Sequence, residues 1–296
     1  MQLNRFWGSV WSVIVYLFSL GLLQVIFAQV ATLFGLLQVG RMGLVLSAPG
    51  TAADWGLVTW LLLLVAAVTP IIGSMAYLDW RWSWKLEHVG MGRNGRVMGW
   101  AALGLLVGLL SALLIHGVSG LLQGNGAFFP RLQPALDPNL LAGLLLAPGI
   151  ELVYRGVAVS RYEADLDERW QVLLAAALTP LAWMLIGSFF GLGAPATGMG
   201  SPEAAAMSLT LVLLFMRTSS AWLTTGIRMG LYGSLLLLGV QSTPAAGLLV
   251  WGVAAIVLLL LEWFRWQRMP RRVQPRRGPQ RVFRGGRTVR GPWGPH

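Results

Sequence analysis

Long apolar stretches separated by short polar segments dominate this chain. They lie at about residues 7–38, 55–78, 97–123, 138–158, 170–190, 203–217, 220–240 and 244–265. An α-helix that crosses a bilayer takes roughly 20 apolar residues. The pattern therefore predicts an all-α fold, a polytopic membrane helical bundle of about eight transmembrane helices.

Three of these stretches open on a helix start signal. Asp137-Pro138, Ser201-Pro202 and Thr243-Pro244 each place a capping side chain before a proline. Proline is well tolerated at the first helical position, where its missing N–H has no partner to lose. We expect helices to begin at these three prolines.

The distribution of basic residues predicts the orientation of the bundle. The loops on one side contain only Arg41 and Arg131, whereas the alternate connections hold Arg81, Lys85, Arg93, Arg96, Arg161, Arg169 and Arg217. Cytoplasmic loops carry the excess of Lys and Arg. Both termini are therefore expected in the cytoplasm, with the first stretch retained as a span because it lacks a small-residue cleavage site.

Composition supports a membrane location and narrows the chemistry. Hydrophobic residues make up 56% of the chain and charged residues 11%, against about 25% charged in soluble domains. The absence of cysteine excludes disulfides and thiolate metal sites. We expect an integral, multi-pass protein of a bacterial inner membrane or a thylakoid-type membrane.

The charge is concentrated in a separate segment. The chain divides into a bundle, 1–265, and an Arg-, Gly- and Pro-rich cytoplasmic tail, 266–296, of a composition that cannot build a core. Candidate partner- or lipid-binding residues in the tail are Arg271, Arg272, Arg276, Arg277, Arg281, Arg284, Arg287 and Arg290. Anionic membrane lipids and an acidic protein surface are the expected partners; nucleic acid is the less favoured alternative.

One predicted span contains an ionisable pair. In the sequence APGIELVYRG, Glu151 and Arg155 are four residues apart, which places them on one helical face in the favourable order. Ionisable residues at membrane depth are costly and usually face a bundle interior or a functional cavity. The spacing alone leaves two interpretations open: a structural ion pair and an intramembrane active site.

The sequence IELVYRG resembles the first motif of the CAAX-protease and bacteriocin-processing family of glutamate intramembrane proteases, Glu-Glu-x-x-x-Arg. Glu151, Tyr154, Arg155 and Gly156 match in register, and Ile150 stands where the first Glu belongs. The resemblance extends over about residues 138–240. It implies an eight-helix core, in agreement with the eight apolar stretches.

The same resemblance indicates that the catalytic residues are missing. In the family, the first Glu and a His on the next helix activate water, and a later His-x-x-x-Asn stabilises the oxyanion. Here Gly187 or a neighbour takes the place of the first His, while Arg228 and Tyr232 take the places of the His and the Asn of the later motif. The only histidines are His88, His116 and His296. No register supplies either catalytic His, so Glu151, Arg155, Arg228 and Tyr232 are interpreted as remnants of the motifs.

Two further features have competing interpretations. His116 is a weak candidate for a proton relay or a pigment ligand, and a hydrogen bond between helices is the favoured alternative. No paired His or Glu-x-x-His exists, so no metal site and no cofactor are predicted. The small residues Gly99, Ala101, Gly104 and Gly108 predict close helix packing within the bundle or the docking of an external helix.

The leading hypothesis is a catalytically degenerate, CAAX-protease-like protein that acts as a binding, scaffold or assembly subunit of a membrane protein complex. Arg155, Glu151 and Arg228 would then tie the fourth and seventh spans together. An active intramembrane endopeptidase that uses Glu151 is one alternative. A pigment- or lipid-binding accessory protein of an energy-converting membrane is another.

Overall fold

The computed structural model describes residues 2–33, 57–92, 96–124, 138–189, 202–238 and 243–268. Within these ranges the regular structure is helical, without a strand. The long helices are α1 Gln2–Leu33, α2 Leu57–Tyr77, α3 Arg96–Leu122, α4 from Pro138, α5 Arg169–Phe189, α6 Pro202–Thr218, α7 Ala221–Leu238 and α8 Pro244–Arg268. Each overlaps one apolar stretch, and the predicted starts at Pro138, Pro202 and Pro244 are confirmed.

Four segments of the described chain are long and apolar enough to cross a membrane. They are Leu3–Leu23, Val97–Leu122, Gly143–Asp165 and Pro244–Arg265, in α1, α3, α4 and α8. This confirms the all-α class and agrees with a membrane protein. That all eight helices cross the bilayer, and that both termini face the cytoplasm, remain predictions.

Helix α4 changes its winding in the middle. It is α-helical over Pro138–Glu151, π-helical over Leu152–Val159 and α-helical again over Ser160–Asp165. All eight π-helical residues are buried. Stretches of π-helix are rare in proteins, and those that occur are often found at functional sites. Here the π-helix begins directly after Glu151, so the motif found in the sequence lies at the junction.

The connections predicted to share one side of the membrane do share one end of the bundle. Arg5 Nη1, at the start of α1, lies 3.4 Å from Asp167 Oδ2 in the α4–α5 connection. The α2–α3 connection contacts the end of α4, where Arg161 Cζ lies 5.1 Å from the centre of the Trp82 ring, and the start of α7, where Ala221 N donates to Gly90 O at 3.0 Å. Arg169 Nη1, at the start of α5, lies 3.1 Å from Glu262 Oε2 near the end of α8. At the other end, the hydroxyls of Ser119 and Thr243 are 3.2 Å apart. The helices therefore alternate in direction as the basic residues predicted.

Helices α3 and α7 pack with their backbones in close contact. A Cβ added at Gly104 would lie 2.3 Å from Leu223 O, and one added at Gly108 would lie 2.2 Å from Ile227 O. On the facing helix, Gly226 and Gly230 are equally close to the α3 backbone. Each helix thus has two glycines four positions apart, and the two pairs pack against each other. Packing within the bundle is confirmed for Gly104 and Gly108, whereas a Cβ at Gly99 would meet nothing within 4 Å.

Two apolar clusters form the core. One is built mainly by α1, α2, α4 and α5, and includes Tyr16, Leu152 and Tyr162. The other is built by α3, α6, α7 and α8, and includes Ile115 and Trp251. The charged residues of α4 and α7 meet where helices of the two clusters come together.

Candidate functional site

Glu151 is the centre of a fully buried charged cluster. Arg228 on α7 donates from Nε to Glu151 Oε1 at 2.7 Å. Arg155, one turn further along α4, places Nη1 3.4 Å from the same oxygen. The structure therefore brings together the three residues that the sequence analysis grouped, and the ion pair joins α4 to α7.

Arg155 extends the cluster to a third helix. Its Nη2 donates to Ser208 Oγ at 2.9 Å and to Ser208 O at 3.2 Å. Ser208 lies in α6 and is buried. No sequence signal pointed to this residue, because a serine in an apolar stretch is common and Ser208 lies 53 residues from Arg155. The charged cluster thus fixes α4, α6 and α7 to one another.

Two residues of α7 complete the surroundings of the cluster. Tyr232 interacts with Arg228, and its ring lies 3.0 Å from where a Cβ at Gly143 of α4 would be. The Thr224 side chain lies beside Glu151. Its hydroxyl proton is used within α7, where Oγ1 donates to Ala221 O at 3.0 Å. Tyr232, the fourth remnant of the motif, therefore lies beside the cluster and packs against α4 at Gly143.

The side chains of Glu151, Arg155 and Arg228 are 0% exposed. One carboxylate and two guanidiniums leave a net charge of +1 in the bundle interior. A buried charge costs several kcal/mol unless it is paired. The pairing is therefore a condition for folding, and Glu151 is the only acid in the described part of the chain that contacts either arginine.

The geometry does not suit hydrolysis. General-base catalysis needs a titratable group in contact with a reacting water. Both guanidiniums contact Oε1 of Glu151, whereas Oε2 has no hydrogen-bond partner in the ranges that the structure describes. The side chain has no exposed surface, so water from the solvent does not reach the carboxylate. Glu151 is arranged as a counterion.

The remaining residues named from the sequence lie elsewhere. Gly187 is in α5, at a position whose surroundings fall outside the described residues. His116, in α3, is 5% exposed and interacts with another group of the protein. Among the described residues, no three His, Asp or Glu side chains come close enough to hold a metal ion. The eight tail arginines lie outside the described residues.

A second charged cluster lies at the end of the bundle that carries the basic connections. Glu262 of α8 is 3% exposed, and Arg169 of α5 donates from Nη1 to its Oε2 at 3.1 Å. Arg217 of α6 and Arg265 of α8 place Nη1 3.8 Å and 3.7 Å from Glu262 Oε1. Arg169 and Arg217 were markers of orientation in the sequence, but their meeting with Arg265 at one carboxylate was not predicted.

Comparison with known proteins adds no relative. No protein-family model matches the chain, and no curated protein matches it significantly. The resemblance to the CAAX-protease family therefore stays a prediction that depends on Glu151, Tyr154, Arg155 and Gly156.

Proposed function

We propose that this chain is a non-catalytic, CAAX-protease-like membrane protein that serves as a binding or assembly subunit of a membrane complex. In this proposal all eight helices cross the bilayer and both termini face the cytoplasm. The membrane is a bacterial inner membrane or one of thylakoid type. The motif remnants hold helices together and perform no chemistry.

The observation that carries the proposal is the enclosed state of Glu151. Both arginines contact the same carboxylate oxygen, at 2.7 Å and 3.4 Å. The sequence has no histidine between residues 117 and 295 to act with that carboxylate. In this proposal Glu151 serves as a counterion, because it is closed to solvent and has no histidine to act with it.

The shared end of the bundle supports the proposed topology. The N-terminal Arg5, the α4–α5 connection, the α6–α7 turn and the C-terminal part of α8 meet there. In the part of the chain that the structure describes, most basic residues outside the buried Glu151 cluster lie at this end, which is the property of a cytoplasmic side. The Arg-rich tail follows α8 from the same end.

Exposed apolar surface supports a role in assembly. Helix α8 exposes Val253, Ile256, Val257, Leu260 and Leu261, and α3 exposes Leu106, Leu110 and Leu114. In a bilayer such faces contact either lipid or another membrane helix. A partner that docks against α8 and presents an acidic cytoplasmic surface would engage the bundle and the tail together.

The test is quantitative co-purification in mild detergent. The wild-type chain is compared with a variant in which the eight tail arginines are replaced by glutamine, which keeps the length and removes the charge. The proposal predicts a stoichiometric membrane partner that is retained by the wild type and lost or weakened with the variant. A wild-type chain that purifies without any stoichiometric partner would contradict the assembly role.

A further inference from the structure

The Glu262 cluster has more positive charge than its acid can neutralise. Three guanidiniums, from Arg169, Arg217 and Arg265, surround one carboxylate, so the group carries a net charge of +2. Only Arg169 is within hydrogen-bond distance of Glu262, at 3.1 Å. The distances of 3.8 Å and 3.7 Å from Arg217 and Arg265 exceed the range of a hydrogen bond. The guanidiniums of Arg217 and Arg265 are therefore attracted by the charge of Glu262 but are not hydrogen-bonded to it.

These two arginines are also accessible. The side chains of Arg217 and Arg265 are 43% and 45% exposed, whereas Glu262 is 4% exposed. Each lies in the last turn of its helix, α6 or α8. An approaching anion thus meets the guanidiniums before the buried carboxylate. Guanidinium groups bind phosphate through two parallel, charge-assisted hydrogen bonds.

The surroundings indicate which kind of anion fits. Leu260 and Leu261, directly before Glu262, are 52% and 47% exposed, and Trp263 and Phe264 after it are 56% and 55% exposed. An apolar helix face that ends in exposed aromatic residues lies at the boundary between acyl chains and headgroups. The candidate span Pro244–Arg265 ends at this level.

We propose that Arg217 and Arg265 form a binding site for the headgroup of an anionic phospholipid, with its acyl chains along the exposed face of α8. The charge selects the phosphate, and the apolar face selects an amphiphile over a soluble anion. The inference depends on the membrane location in the proposed function and not on the loss of catalysis. A lipid site here would stand even if the assembly role were wrong.

The test measures binding of phosphatidylglycerol and phosphatidylcholine with identical acyl chains to the purified full-length protein by native mass spectrometry. The variant is Arg217→Gln/Arg265→Gln. The matched control is Arg5→Gln/Arg161→Gln, which removes two positive charges from the same end and leaves the tail intact. Each basic residue near a membrane surface contributes roughly a fivefold factor. We therefore expect about a thirty-fold loss of phosphatidylglycerol affinity in the variant. The loss should be much smaller in the control, because Arg5 is paired with Asp167 and Arg161 with Asp165.

Three results would overturn the site. The first is equal binding of the two lipids by the wild type. The second is an equal loss of phosphatidylglycerol in the variant and the control. The third is displacement of the lipid by millimolar inorganic phosphate, which would show that the arginines bind a free anion. If the variant fails to fold, Arg217→Lys/Arg265→Lys is measured in its place. It keeps the charge but lacks the paired N–H donors of the guanidinium, and we expect an intermediate loss of phosphatidylglycerol affinity.

Discussion

Removal of Arg228 should have opposite effects in two backgrounds. In the wild type, Arg228→Met deletes the 2.7 Å bond to Glu151 and is expected to destabilise the protein. In a Glu151→Gln background, Arg228 has no acid to neutralise it and stands near Arg155. There the same Arg228→Met change should stabilise the protein. Such a reversal of sign is specific to a cluster of two cations that share one anion.

The magnitudes follow from the contacts. Opposite charges about 4 Å apart attract by roughly 4 kcal/mol at an effective dielectric constant near 20. The repulsion between Arg155 and Arg228 is weaker than the attraction between Arg155 and Glu151, and we take it as about half of that value. Arg228→Met should then cost about 2 kcal/mol in the wild type and restore about 2 kcal/mol in the Glu151→Gln background. Glu151→Gln alone should cost at least the roughly 3–5 kcal/mol seen when one partner of a buried pair is removed.

Equilibrium unfolding in mixed micelles of dodecyl maltoside and dodecyl sulfate provides the measurement, with near-ultraviolet circular dichroism as the signal. Arg5→Gln is the control, because Arg5 and Asp167 are more than half exposed and such pairs contribute roughly 0–1 kcal/mol. A double variant less stable than Glu151→Gln, or effects that simply add, would refute the shared-counterion arrangement.

Three further predictions concern the packing around the cluster, each followed by the same unfolding measurement. Gly108→Ala places a Cβ against Ile227 O and should cost about 1–3 kcal/mol. Its control is Gly99→Ala, which has open space on the same helix and should be neutral or stabilising by up to about 1 kcal/mol. Equal effects of the two changes would exclude close α3–α7 packing. Thr210→Val removes a hydroxyl 3.1 Å from Trp251 O on α8 and should cost about 0.6 kcal/mol more than Thr218→Val, whose hydroxyl bonds only its own helix at Leu214 O. Ser208→Ala removes the Oγ acceptor of Arg155 and leaves it the longer bond to the Ser208 carbonyl. The change should cost about 1.5 kcal/mol; an unchanged stability would show that the Oγ bond does not help to hold α6 to the cluster.

The positions and directions of the helices were predictable from the sequence, because both depend on local signals. Apolar length predicted the helices, and the proline starts at Pro138, Pro202 and Pro244 need only the residue before them. The alternation of basic connections depends on how charges cross a membrane. The contact between Glu262 and the distant Arg169 agrees with it.

The meeting of Glu151 and Arg228 was predictable for a different reason. A charge inside a bundle must find a counterion, and few are available in these spans. The family-like spacing then suggested which two residues meet. Burial and bonding distance followed once α4 and α7 packed together.

The π-helical segment, the Ser208 contact and the Glu262 cluster were not predictable. Each depends on the three-dimensional packing of helices that are distant in sequence, such as α6 and α8 around Glu262. The composition of Leu152–Val159 does not distinguish an α-helix from a π-helix. For Gly104 and Gly108, the small-residue spacing predicted a close approach but not that α7 is the partner.

The most direct test of the central claim is a cleavage assay with a CAAX peptide and the purified wild-type protein. The Glu151→Gln/Arg228→Met variant is the comparison, because it removes the carboxylate and is expected to fold better than Glu151→Gln alone. A buried Glu151 that acts only as a counterion predicts no product above that of protein-free micelles from either form. Peptide product released by the wild type and abolished in the folded double variant would contradict it.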